Sequence, residues 1–164
     1  MAVVVIESNQ FMFDTMQGIL LDHGIKEEDI YWTRSRDGGI YKIREVCEVE
    51  DKKIDLIVVD TTLPTSDREN AVVLDDRGAY IIYTLDALAR AKFSPELKQL
   101  TDVPIIIVSP NEESTRMLSE HPNIKKWIRY DTPYISDVYD KTYDDCVRAL
   151  KRNDREIERT LDTV

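Results

Sequence analysis

Asp60 closes an apolar run, "IDLIVVD" (Ile54 to Asp60), and is followed by Thr61, Thr62, Leu63 and Pro64. Two further apolar runs also stop at polar side chains. "AVVVIE" ends in Glu7 and Ser8, and "VPIIIVSP" ends in Ser109 before Pro110. A fourth segment, "KKWIRY", leads through Asp131 and Thr132 to Pro133. If these ends converge, Glu7 and Asp60 with a hydroxyl beside them offer oxygen ligands to Mg²⁺. That ion keeps several waters and needs only one or two carboxylates. A carboxylate can also act as nucleophile toward a phosphoryl group. The plainer readings are a loop-opening Asp60 that accepts from backbone amides, a solvated strand-end Glu7, and a Ser109 hydroxyl that satisfies local backbone.

Convergence depends on the elements that carry these residues. The three apolar runs are short and rich in Val and Ile, as in central strands of a parallel sheet buried on both faces. "DIYWT" (Asp29 to Thr33) and "KKWIRY" (Lys125 to Tyr130) mix apolar and polar residues, as strands nearer an edge do. Between the strands lie helical patterns. Phe11, Met12, Thr15, Met16, Ile19 and Leu20 make one apolar face, with Asn9 as N-cap and Gly24 as stop. A second helix is predicted from Ile40 to about Glu50, with Ile43, Val46 and Cys47 inward. A third runs from about Gly78 to Lys92, with Ile81, Ile82, Leu85, Leu88 and Ala89 on its face. A short fourth holds Met117 and Leu118. The last starts near Ser136, and its stripe continues through Ile157 and Leu161.

Strand and helix alternate five times, which predicts right-handed crossovers and a doubly wound five-stranded parallel sheet. Ligands of such sheets sit beyond the carboxyl ends of the strands. The chain of 164 residues suits a single domain. Thr65 to about Arg77 is longer and more charged than an ordinary connection and reads as an insertion before the third helix. Residues 151–164 read as a C-terminal helix extension, either an exposed helix end or a contact for a dimer or partner.

A net charge of −10 argues against nucleic-acid or anionic-membrane binding, which need clustered Lys and Arg. No apolar run is long enough to span a bilayer. The first residues lack the basic region of a signal peptide. Cys47 and Cys146 have no metal-ligand or redox spacing. A cytoplasmic protein with core cysteines is the simplest reading. His23 and His121 read as surface residues, and Trp127 and Tyr130 as packing residues of the fifth strand.

With these residues in place the chain resembles the receiver domain of two-component response regulators (CheY-like). The likeness rests on Glu7 after the first strand and on Asp60, Leu63, Pro64 and Asp67 after the third. Ser109 after the fourth and Pro133 after the fifth complete it. It covers about residues 2–150 and implies a flavodoxin-like (βα)5 fold. It also implies Asp60 as phosphoryl acceptor, Ser109 as switch residue, and a Mg²⁺ site made by Glu7, Asp60 and the backbone carbonyl of Thr62. A histidine kinase or phosphotransferase would be the donor and a protein the target. The chain departs from the pattern at two binding positions. Ser8 stands where a second acid is usual, and Thr132 (or Asp131) where a phosphoryl-binding lysine is usual. Arg68 replaces the glycine expected after Asp67.

These features predict a stand-alone receiver-like signalling domain, not an enzyme. It acts through protein contacts, as a pseudo-receiver with degraded Mg²⁺-dependent phosphorylation. The alternative is a fully phosphorylatable single-domain response regulator. A haloacid-dehalogenase-like phosphatase is disfavoured because its motif needs a second aspartate where Thr62 stands. Too little chain follows Leu150 for a DNA-binding output domain.

Overall fold

The valine- and isoleucine-rich runs form the centre of the sheet. The computed structural model describes residues 2–68, 73–74, 77–91, 94–109, 118 and 121–129. Its strands are β1 (Ala2–Ile6), β2 (Ile30–Thr33), β3 (Ile54–Asp60), β4 (Leu63–Pro64), β5 (Val73–Leu74), β6 (Ile105–Ser109) and β7 (Ile124–Arg129). Five of these form one parallel sheet in the order β2-β1-β3-β6-β7. This is the flavodoxin-like doubly wound order, with its switch point between β1 and β3. Val3 to Ile6 and Leu56 to Val59 are fully buried. Each such side chain contributes about 1.5–3 kcal/mol relative to exposure. β2 and β7 are the edges, as their mixed composition predicts.

The helices are α1 (Gln10–Asp22), α2 (Arg36–Arg44) and α3 (Arg77–Arg90). α2 and α3 cover one face of the sheet, packing Ile43, Ile81, Ile82 and Leu85 on Ile6, Ile57 and Val59. α1 covers the other, packing Met12, Phe13, Met16 and Leu20 on Val3, Val5, Val58 and Val108. Asn9 caps α1 by accepting from the Phe11 and Met12 amides, and Gly24 ends it at φ +78°, a conformation that favours glycine. The fourth and fifth helices, Cys146, Tyr130 and the 151–164 extension lie outside the described residues, as does the Trp127 side chain. Among the described residues no helix is long and apolar enough to cross a membrane.

Several expectations are corrected. The inward face of α1 is shifted: Phe13 is buried and stacks on Trp32 with centroids 4.3 Å apart, while Phe11 is 67% exposed. α2 starts at Arg36, before Ile40, because the buried Ser35 hydroxyl accepts from the Gly38 amide and caps it. Gly38 and Gly39, poor helix formers, obscure this start in the sequence. A π-helical turn, Glu45–Val49, then carries the helix to its end. Pro95–Thr101 forms an unpredicted 3-10 segment that buries Leu97 and Leu100. Within the stretch after Pro64, Val73 and Leu74 pair antiparallel with Pro64 and Leu63. His121 is not a surface residue. Its side chain is 10% exposed, and Nε2 lies 3.0 Å from Asp86 Oδ2. His23 is half-buried.

Gly39 sits where α2 presses on β1. A β-carbon there would stand 2.6 Å from Ile6 Cδ1, whereas one at Gly18 on α1 would meet nothing within 4 Å. Gly39→Ala is therefore expected to lose about 1–3 kcal/mol in urea denaturation through overpacking. Gly18→Ala is expected to gain roughly 0.4–1 kcal/mol.

Candidate functional site

Parallel pairing decides which polar ends meet. Ile6 pairs with Val59 and Asp60 with Val108. One step beyond the first of these pairs, Glu7 comes abreast of Asp60. Side chains alternate between faces along a strand. Val5 and Val58 face α1, so Glu7 and Asp60 both point to the α1 face of the sheet.

Both carboxyls are buried: Glu7 is 1% exposed and Asp60 3%. Glu7 Oε1 accepts from the Asn9 amide at 2.8 Å, and the Ser8 amide also bonds to this carboxyl. Glu7 Oε2 is buried without a hydrogen-bond donor. Asp60 neighbours the Glu7 carboxyl, and two carboxyls can bond only if one holds a proton. Burial first, and the neighbouring Asp60 charge second, push Glu7 up to about 8. Asp60 Oδ1 in turn accepts from the Thr62 amide at 2.8 Å, so the loop-opening role is real. It leaves the rest of the carboxylate to face Glu7.

The rim is braced from β2. The Trp32 indole N–H donates to the Glu7 carbonyl at 2.8 Å, and the Glu7 amide donates to Thr33 O at 3.0 Å. Arg34 lies over the Trp32 ring at 5.4 Å and makes a long contact of 3.4 Å to the Ser8 carbonyl. The sequence reading did not single out Trp32 or Arg34. Their signal was the alternation Ile30, Trp32, Arg34 beside Glu7, which needs the strand register to be read. The buried Thr61, whose amide bonds to Val108 O at 3.0 Å, also went unnoticed. The chain after Asp60 leans on the start of α2: the Asp37 amide donates to Thr65 O at 3.1 Å. Asp67 Oδ2 lies 3.2 Å from where a Gly38 β-carbon would be.

Of the other expected site residues, Ser109 ends β6 one step past the residue paired with Asp60. Its side chain is outside the described residues, and so are Thr132, Asp131 and Pro133. Thr62 keeps a buried hydroxyl without a partner. Among the described residues no group of three or more His, Cys, Asp and Glu side chains is placed to hold a metal. Among the described residues the rim brings together the carboxylates of Glu7 and Asp60.

No family model and no curated protein matches the sequence. Solved structures do match. A response regulator receiver domain (CheY-like) from Methanospirillum hungatei JF-1 superposes with a TM-score of 0.58 at 15% identity. The match covers 94% of this chain and 97% of that one. The fold is that of a CheY-like receiver domain. The phosphorylated cyanobacterial phytochrome response regulator RcpA gives a TM-score of 0.57 at 18% identity, over 88% of this chain and 89% of that one. The Mn²⁺-bound form of response regulator Rcp1 gives 0.53 at 16% identity, over 87% and 88%.

The Glu7 shift has a pH consequence. A glutamate whose folded pKa is raised to about 8 from 4.5 binds its proton more tightly when folded. The resulting stabilisation is full below about pH 4.5 and is lost as pH rises through about 8. Thermal unfolding in EDTA should therefore show a falling melting temperature from pH 5 to pH 9. Glu7→Gln should flatten that dependence and raise the midpoint at pH 9 by roughly 5 °C.

Proposed function

We propose that this chain is a receiver-like signalling domain of a two-component phosphorelay, with Asp60 at the phosphoryl-acceptor position. It works by contact with protein partners, a histidine kinase or phosphotransferase upstream and a protein target downstream. The observation that carries this reading is the buried Glu7–Asp60 pair with an unpartnered Glu7 Oε2. Two carboxylates forced together in low dielectric favour a shared proton or a cation. The donor set fits a hard divalent ion: Glu7 and Asp60 would hold it, with the Thr62 carbonyl as a third oxygen. When bound, such an ion neutralises the pair and the incoming phosphoryl oxygens.

In the transfer, an Asp60 oxygen attacks the phosphorus of a phosphohistidine. The O–P bond forms and the N–P bond breaks. The imidazole leaves with the electron pair and later takes up a proton. The Thr62 amide on Oδ1 holds the carboxylate in one orientation, and burial beneath the rim limits water at the resulting acyl phosphate. Ser8 and Thr132 weaken this chemistry, one by removing an anionic ligand and the other by removing a cation. Mg²⁺-dependent phosphorylation is accordingly degraded, and the domain leans toward the pseudo-receiver end of the family. A phosphatase of the haloacid-dehalogenase type fits poorly, because Thr62 stands where its acid belongs and gives its amide to Asp60 instead.

Acetyl phosphate with Mg²⁺, followed by intact mass, tests the proposal. The expected result is slow, partial formation of one adduct that requires Mg²⁺ in the millimolar range and disappears in Asp60→Asn. Full modification at micromolar Mg²⁺ would establish the intact response regulator instead. An adduct that persists in Asp60→Asn would remove Asp60 from the acceptor role.

A further inference from the structure

Val5 pairs with Trp32 and Ile6 with Thr33, and the Glu7 amide bonds to Thr33 O. One step further, Arg34 stands beside Glu7, as Glu7 stands beside Asp60. Arg34 follows β2, and its guanidinium lies 5.4 Å over the ring of Trp32, which packs with the α1-side core, so it sits on that same side of the sheet. Three neighbouring strand ends thus place Arg34, Glu7 and Asp60 in one row. Strands are about 4.8 Å apart, which puts the Arg34 and Asp60 backbones roughly 10 Å from each other. The guanidinium has already crossed part of that distance, since it touches the Ser8 carbonyl after β1.

Its present partners hold it loosely. The Ser8 contact is 3.4 Å long and Arg34 is exposed. Arg36, two residues on, is committed elsewhere: its Nε is 2.6 Å from Asp37 and its guanidinium lies 4.7 Å over Tyr80. We propose that Arg34 is the cation that pairs with phosphoryl oxygens on Asp60, in place of the lysine that Thr132 does not supply. In this proposal the Arg34 side chain would reach across the Glu7 position to a dianionic group carried by Asp60. The planar fork of arginine suits two of its oxygens at once. The inference rests on the acceptor reading of Asp60.

Beryllofluoride, an acyl-phosphate mimic, tests it through ¹⁹F NMR of the bound species with Mg²⁺ present, while calorimetry follows Mg²⁺ alone. Arg34→Ala is expected to weaken beryllofluoride binding about tenfold, and Arg34→Glu more. Mg²⁺ affinity should stay the same or rise in both, because a positive charge has left the rim. Opposite responses to anion and cation are not the signature of misfolding. Equal beryllofluoride affinity in Arg34→Ala and the unsubstituted protein would overturn the role of Arg34 and leave Asp60 as acceptor. Failure of the unsubstituted protein to bind beryllofluoride would overturn both.

Discussion

The parallel pairing of β1 with β3 fixes the chemistry of this molecule. That register brings Glu7 against Asp60, both almost wholly buried. The two acids come together because Val3 to Ile6 and Leu56 to Val59 bury their apolar surface in that alignment. A one-residue slip of either strand would exchange the two core faces that its side chains fill and carry its carboxylate to the opposite side of the sheet. Hydrophobic burial therefore holds the carboxylates where electrostatics alone would separate them. The consequence is a glutamate that keeps its proton near neutrality and an oxygen with no donor.

Around this pair the structure is supported unevenly. On the β2 side, Trp32, Phe13 and the Glu7–Thr33 bond tie the rim to α1 and to the sheet edge. On the β3 side, the chain leaves Asp60 through the Thr62 turn and leans on α2 by way of Thr65. The β4–β5 ladder then follows in the chain before α3. At the far end of the sheet the His121–Asp86 contact and the Asn123 amide, which donates to Leu100 and Thr101 carbonyls, fasten α3 and the 3-10 segment to the start of β7. Polar fasteners thus sit at both ends of a sheet whose middle is apolar.

Much of this was legible in the sequence. Continuous β-branched runs announce buried parallel strands, and their polar ends announce the rim. Asn9 and Gly24 mark the bounds of α1 because capping and positive φ are local requirements. What was not legible depends on partners distant in sequence. Phe13 replaces Phe11 in the core because Trp32 is there to receive it. α2 begins early because Ser35 caps it and because Gly39 admits Ile6, neither of which follows from helix propensity. His121 is drawn inward by Asp86 on another element. Glu7 and Asp60 could be singled out as candidates, but their contact, and the place of Arg34 in the same row, needed the register.

The bond from the Trp32 indole to the Glu7 carbonyl has an optical side. An indole N–H held by a carbonyl, with a phenyl ring flat against one side and a guanidinium nearby, has an emission set by all three. The carbonyl belongs to the residue whose side chain meets Asp60, and the guanidinium belongs to the arginine in the same row. A rearrangement of charge at the rim is thereby expected to change the fluorescence of Trp32. The brace that stiffens the site doubles as its gauge.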